Sequence, residues 1–472
     1  MAKIKFGTSG WRAIIADDFT FANVKVVVAA IAQYILTQGV AGGVIVGRDT
    51  RFLGNKFAEL AVRVLGASGV KSLLCVDPVP TPTISYEIIR SGLAGGINFT
   101  ASHNPAEYNG IKFTGSDGAP ALPEVTKKIE RFIERLQEGE EVKELPLEEA
   151  KGLGMATLIE PADDYLKGLE EKIDKDALRR ANLKLAVDHM NSTSVGYLDA
   201  FLKKLGVRLK RFRQDPDPRF GGGRPDPIRP NLGHLISLLE DDPTFTLGLA
   251  TDGDADRFGV VDRGGVFLSA NLVIALLVDY LARTRGFKGG VARTVGTTHL
   301  IDALAEKHGM ALYETPVGFK YISDLILSGK IDIGGEESAG FTMRGHVPEK
   351  DGILACLLTA EMVARQRRSL VQLRDRLFKE VGPYLNERED IAITPAQGER
   401  FRRKTASPPE RFGGRVVKGV KEIDGIKFLL EGNAWVLMRE SGTEPLIRLY
   451  AEAPTQEELN RLLEAGREFI LR

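Results

Sequence analysis

Cysteine is scarce: two in 472 residues, Cys75 and Cys356, too few and too far apart for a disulfide framework. Both lie in apolar surroundings, which reads as buried free thiols in a cytoplasmic protein. Net charge is absent as well, because 64 lysines and arginines balance 64 aspartates and glutamates. A chain-wide nucleic-acid or anionic-membrane surface is therefore not expected, although a small cationic pocket is compatible with a neutral whole. The longest apolar runs, such as residues 26–32, are helix-sized and short of the ~18 residues of a membrane span. The start, Met1-Ala2-Lys3-Ile4-Lys5, lacks the apolar core of a secretory signal. There is no collagen period and no proline-rich tract. These absences leave neither nucleic acid nor membrane as an expected partner; the expected partner is a small molecule, and the chain is expected to be a monomer or small homo-oligomer.

Glycine is abundant: 51 residues in 472, against a background near ~7%. It suits tight turns and loops where backbone approaches a ligand. The length predicts about three or four domains. Short apolar runs alternate with amphipathic stretches, giving strands near 42–47, 72–76, 95–100, 183–188, 207–212 and 245–250 with helices between them. The rhythm restarts after residue 270, and the last ~90 residues change to short strands before a final helix. The expected fold class is α/β: three similar mixed-sheet α/β domains, 1–150, 151–255 and 256–380, plus an α+β C-terminal domain, 381–472, around a central cleft.

Four loops carry candidate chemistry. Thr100-Ala101-Ser102-His103-Asn104-Pro105 follows a strand, and Asn104-Pro105 turns the backbone. That puts Ser102 at a strand's C-terminal end, where open α/β sheets bind ligands. It is not in a Gly-x-Ser-x-Gly elbow, and alone it reads equally as a turn cap. Thr251-Asp252-Gly253-Asp254-Ala255-Asp256-Arg257 follows an apolar strand. Three carboxylates at alternate positions, with only Gly253 and Ala255 between them, repel unless a hard cation such as Mg²⁺ or Ca²⁺ joins them. An EF-hand is excluded, because its sixth and twelfth positions are Arg257 and Arg263. Gly334-Gly335-Glu336-Glu337-Ser338-Ala339-Gly340 offers acceptors and a hydroxyl suited to sugar hydroxyls, and reads equally as a polar turn. Arg439-Glu440-Ser441-Gly442-Thr443-Glu444-Pro445 with Arg448 interleaves cations, hydroxyls and a glycine amide, the donors a phosphate needs. A serine, a metal site, a hydroxyl reader and a phosphate clamp together point to phosphoryl transfer on a small polyol.

These four motifs, in this order over essentially the whole chain, resemble the α-D-phosphohexomutase family, and most of all its phosphoglucomutase/phosphomannomutase group. The resemblance extends to Gly7-Thr8-Ser9-Gly10-Trp11-Arg12, to Tyr108-Asn109-Gly110-Ile111-Lys112, to the segment from Glu314 to Lys320, and to Glu349-Lys350-Asp351-Gly352. It implies an intramolecular phosphotransferase in which Ser102 carries a phosphoryl group and joins Asp252, Asp254 and Asp256 in holding Mg²⁺. Arg12 and Arg257 are implied beside them, with Lys112 or His103 as general acid or base. Lys320, Glu336, Ser338, Lys350, Arg439, Ser441, Gly442, Thr443 and Arg448 are the implied substrate contacts. Lys112 suits the role of base if burial or neighbouring cations depress its pKa; His103 is the alternative, or merely orients its loop. The implied reaction interconverts glucose 1-phosphate and glucose 6-phosphate through glucose 1,6-bisphosphate, with a phosphomannomutase or dual-specificity enzyme as alternative. A histidine that usually follows the sugar loop in the mannose and glucosamine branches is Gly340 here, with His346 six residues on. Two other classes remain. A phosphatase forming an aspartyl phosphate on Asp252 wants Thr or Val where this chain has Asp256. A sugar-phosphate sensor would have lost catalytic residues.

Overall fold

The computed structural model describes residues 4–7, 9–40, 42–441 and 444–472. The first sheet is built from β1 (Trp11–Ile14), β2 (Val44–Arg48), β3 (Ser72–Cys75), β4 (Gly95–Phe99), β5 (Tyr108–Thr114) and β6 (Ala156–Ile159), in the order β1-β5-β4-β2-β3-β6. Its inner strands β4, β2 and β3 are parallel, while β5 returns antiparallel to β4. The second sheet contains β7 (Lys184–Asp188), β8 (Arg208–Phe212), β9 (Leu247–Thr251), β10 (Phe258–Asp262) and β11 (Val266–Leu268), ordered β11-β10-β9-β7-β8. The third contains β12 (Gly290–Thr294), β13 (Leu312–Thr315), β14 (Ile331–Glu336) and β15 (Gly340–Met343), ordered β13-β12-β14-β15.

One topology is used three times. A fully buried strand (β4, β9 or β14) runs parallel to its inner neighbour, and the chain then makes a loop and returns on an antiparallel partner (β5, β10 or β15). Each loop carries one of the sequence motifs. The three α/β units with mixed sheets are therefore as expected. The return strands were not anticipated, since Asn109-Gly110 in β5 reads locally as a turn. The first two sheets also run past the breaks expected at 150 and 255, because they take in β6, β10 and β11.

The fourth sheet is wholly antiparallel: β16 (Leu385–Ala392), β17 (Arg411–Phe412), β18 (Arg415–Lys421), β19 (Ile426–Leu430), β20 (Ala434–Glu440) and β21 (Leu446–Ala453), ordered β16-β21-β20-β19-β18-β17. Helix Gln456–Leu471, capped by Thr455 Oγ1 accepting from Glu458 N, covers one face.

Helices fix these sheets. In the first unit α1 (Phe21–Gln38) starts at Thr20, whose hydroxyl accepts from Asn23 N, and ends at the left-handed Gly39. Counted over the whole helix, its 18 residues and mean hydropathy of 1.3 do reach the length and composition of a membrane span, contrary to what the bare apolar runs suggest. Val24, Val27, Val28 and Ile31 bury that apolar character in the first unit's core with Phe57 and Leu65. Two more helices complete the strand-to-strand crossovers, α2 (Gly54–Ala67) and α3 (Thr81–Ser91). The second and third units share one continuous core, threaded by helix Gly352–Gln366, which is buried on nearly all sides. Cys356 lies on that helix and Cys75 on β3; both are buried free thiols.

Candidate active site

Ser102 sits just beyond β4 in the left-handed region (φ +53°), 1% exposed, its amide donating to Thr100 Oγ1 at 2.9 Å. Its hydroxyl donates to Asp252 Oδ2 at 2.6 Å and lies 3.4 Å from His103 Nδ1. Arg51 holds the loop in this shape. Its guanidinium donates to the carbonyls of Ser102, Asn104, Pro105 and Tyr108, and its Nε pairs with buried Asp49. Arg12 Nη1 donates to Asn104 Oδ1 at 2.8 Å. Nothing in the motifs marked Arg51, although its place after β2 in a Gly-Arg-Asp-Thr-Arg run was a strand-end signal.

The loop after β9 meets this serine face on. Asp252, Asp254 and Asp256 are at most 1% exposed, and one carboxylate oxygen of each lies within 4.8 Å of the others. Among the described residues they are the one acidic group placed to hold a metal ion. Lys112 Nζ donates to Asp254 Oδ2 and Asp256 Oδ2, both at 2.6 Å, and Lys350 Nζ is 3.2 Å from Asp256 Oδ2. Oδ1 of Asp254 and Oδ1 of Asp256 are buried without a hydrogen-bond partner. A carboxylate oxygen left bare in a dry site is a ligand in wait of a cation, so the donor set fits a hard divalent metal.

Charge is divided unevenly here. Burial, reinforced by Asp256 and Asp254, pushes Asp252 well above the usual carboxylate range. Burial acts the same way on Asp256, but Lys112, Lys350 and Arg257 outweigh it and hold that group low. The depression that would suit Lys112 to act as base is not met: burial pulls it down, yet Asp254 and Asp256 carry it above its ordinary value. His103 moves the other way, lowered well below its ordinary value by burial and by Arg257 and Arg12. Ser102 Oγ thus lies 3.4 Å from a neutral imidazole, while a cationic amine is held on Asp254 and Asp256 of the facing loop.

The loop after β14 closes the cluster. Glu336 is buried, and burial raises it to about 7 against the opposing pull of Lys350. Ser338 hydrogen-bonds to it. Glu337 is the loop's anchor, accepting from Thr294 Oγ1 and Thr297 Oγ1 at 2.6 and 3.1 Å. A Cβ at Gly340 would lie 2.6 Å from Lys350 Cδ and 2.9 Å from Glu336 Cγ, so the residue there sets how those two side chains lie. His346 instead bonds Asp351 Oδ2 at 2.7 Å, which also accepts from Tyr165 Oη.

Not every candidate joins this cluster. Lys320 lines a crevice of ≈ 170 Å³ with Tyr34, Phe113 and Asp117 of the first unit. Its neighbour Phe319, not Lys320, lies beneath the Lys350 ammonium, at 5.4 Å. On the fourth sheet Arg439 and Arg448 stand directly opposite on β20 and β21. Arg439 Nε donates to Asp424 Oδ1 at 2.7 Å, while Arg448 Nε is buried without a partner. Ser441 Oγ accepts from Glu444 N at 3.3 Å. Gly442 and Thr443 lie outside the described residues.

Comparison with known proteins identifies the four units. Four family profiles match in succession: the phosphoglucomutase/phosphomannomutase alpha/beta/alpha domains I (3–140), II (163–265) and III (269–381), and the C-terminal domain (399–468). A phosphoglucomutase/phosphomannomutase of Thermococcus kodakarensis is 29% identical over 98% of this chain and 97% of its own. A "probable phosphoglucosamine mutase" of Methanosphaera stadtmanae is 30% identical over 98% of each chain. A solved "putative phosphomannomutase" from Thermus thermophilus is 35% identical, with a TM-score of 0.88 over 99% of both chains. Units of this kind, matched in this order, define an intramolecular phosphotransferase, a mutase. The chain belongs to the phosphoglucomutase/phosphomannomutase family, the α-D-phosphohexomutases.

Proposed function

We propose that the protein interconverts α-D-glucose 1-phosphate and glucose 6-phosphate, with Ser102 as the phosphoryl carrier and glucose 1,6-bisphosphate as intermediate. The observation that carries this reading is the contact of Ser102 Oγ with Asp252 inside a cluster of three buried aspartates with two bare oxygens. Asp252, Asp254 and Asp256, with the phosphorylated Ser102, would hold Mg²⁺, which when bound offsets the negative charge of the transferring phosphoryl group.

In the forward half-reaction a sugar hydroxyl attacks the phosphorus on Ser102. The bond from phosphorus to Ser102 Oγ breaks, and the hydroxyl proton leaves to a side chain at the site. His103 and Lys112, one neutral and one cationic, provide the acceptor and donor that a reversible transfer needs. Arg12 and Arg257 add fixed positive charge near the phosphoryl group, and Glu336 and Ser338 orient the sugar through its hydroxyls. The bisphosphate then turns round and returns its other phosphoryl group to Ser102, so one clamp must accept phosphate from either end of the sugar. Arg439 and Arg448 suit that role, since like charges directly opposite on neighbouring strands repel and an anion between them relieves the repulsion. Ser441, Gly442 and Thr443 would complete the clamp, and Lys350 reaches the substrate from the sugar side. Lys320 belongs to this reading only as a contact made across the crevice to the first unit. A cytoplasmic site of action suits the two unpaired, buried thiols.

Glucose is favoured over mannose or glucosamine because Gly340 stands where those branches usually carry a histidine; a larger side chain there would meet Lys350 Cδ and Glu336 Cγ. Turnover of glucose, mannose and glucosamine 1-phosphates, each with Mg²⁺ and its matching bisphosphate, tests this. The highest kcat/KM is expected for glucose 1-phosphate. A higher value for mannose or glucosamine would overturn the glucose assignment while leaving the mutase class intact.

A further inference from the structure

Thr81 opens α3 in the first unit, yet its polar groups act on the second. Its amide donates to the Asp254 carbonyl at 2.9 Å, and its hydroxyl donates to Asp254 Oδ2 at 2.5 Å. Asn98 Nδ2, on β4, donates to the Thr81 oxygen at 3.0 Å. An amide nitrogen only donates, so the Thr81 oxygen accepts from Asn98 and its single proton goes to Asp254. Thr81 and Asn98 are each 1% exposed and Asp254 is fully buried. The ordinary use of a threonine at a helix start is capping, but α3 is preceded by Pro80 and has no side-chain cap. The hydroxyl is spent on Asp254.

The consequence lies in which oxygen is taken. Oδ2 of Asp254 receives both Thr81 and Lys112, while Oδ1 is buried and bare. Two donors on one oxygen restrain the carboxylate's rotation and leave its other oxygen free for a ligand. We infer that Thr81 is a positioning residue: it fixes Asp254 so that Oδ1 is presented to the cation, and it ties the metal loop to the sheet that bears Ser102. The inference rests on the metal reading of the three aspartates. Nothing in the sequence separates Thr81 from any other threonine after a proline; only the fold brings it to a residue 173 positions away.

The test is Mg²⁺ binding by isothermal titration calorimetry on the full-length protein, with steady-state kinetics alongside. Thr81→Val keeps the side-chain shape and the backbone hydrogen bond and removes the hydroxyl. It is expected to weaken Mg²⁺ binding about 10- to 100-fold and to lower kcat at fixed Mg²⁺ with little change in the KM for sugar phosphate. Thr81→Ser, which keeps the hydroxyl, is expected to restore both. Thr81→Ala removes the same hydroxyl from a smaller side chain and must show the same loss if the valine variant does not fold. Wild-type affinity in a folded Thr81→Val or Thr81→Ala protein overturns the inference. Failure of the wild-type protein to bind Mg²⁺ overturns the metal reading beneath it.

Discussion

At Gly253 a Cβ would stand 2.5 Å from the backbone oxygen of Ser102 and 3.2 Å from Pro225 Cγ. Backbone cannot yield as a flexible side chain can, so any substitution pushes the serine loop away from Asp252, whose Oδ2 lies 2.6 Å from Ser102 Oγ. Gly253→Ala is therefore expected to lower kcat about 100-fold through misplacement of the nucleophile, with the KM for glucose 1-phosphate nearly unchanged. Stopped assays at saturating substrate check it, and wild-type kcat would contradict this account of the contact. The residue scale is also where the sequence was most and least informative. Three aspartates at alternate positions are visible as a cation site because their mutual repulsion needs an answer. Arg51 and Thr81 are invisible, since each acts on atoms that are near only after folding. The ionisation of Lys112 was left open for the same reason: its two carboxylate partners lie 142 and 144 positions away.

Among elements, the strands and helices with clear periodicity were legible: the strand expected at 426–430 and the helix after Thr455 appear as read. The return strands β10 and β15 were not, because they follow the functional loops directly and each reads as more of the loop. Together with the β4–β5 return, their hairpins aim the three motifs at one place. The seam between the third and fourth sheets shows what local patterning cannot reveal. Lys427 on β19 is fully buried, donates to Val295 O at 2.7 Å and contacts His299 Nε2 at 2.8 Å, with Trp435 3.9 Å below. Burial and Arg293 lower its pKa to about 7, against the pull of Glu314, Glu452 and Asp302. Between pH ~7 and ~10.5 the unfolded chain holds a proton that the folded one does not, so this group's contribution to stability rises with pH across that window and is at its least favourable below it. Urea unfolding from pH 7 to 10 is expected to show a steeper rise for wild type than for Lys427→Met, by up to about 1.4 kcal/mol per pH unit. Parallel pH profiles would contradict the buried, deprotonating lysine.

For the whole molecule the division of the cores is what bears on function. The second and third units share one core, while the first and fourth have their own. The carboxylate cluster lies where the first unit meets the fused pair, with Ser102 and Lys112 on one side and the aspartates, Lys350 and Glu336 on the other. The fourth unit meets the third through a small apolar contact of Val295, Trp435, Leu437 and Tyr450 beside the Lys427 network. The neutral total charge conceals a site in which buried anions and cations alternate. At this scale the sequence was legible through the four motifs and their order; that the first three meet at one cluster is the work of the hairpins. The claim on which the account depends is that phosphate rides on Ser102. Tandem mass spectrometry of protein incubated with isotopically labelled glucose 1,6-bisphosphate and Mg²⁺, alongside turnover by Ser102→Ala, tests it most directly. The account predicts one phosphate on Ser102, whose isotopic label passes to the sugar phosphate on turnover with excess glucose 1-phosphate, and no mutase turnover in the alanine variant. Phosphate on Asp252, or turnover retained by Ser102→Ala, would contradict it.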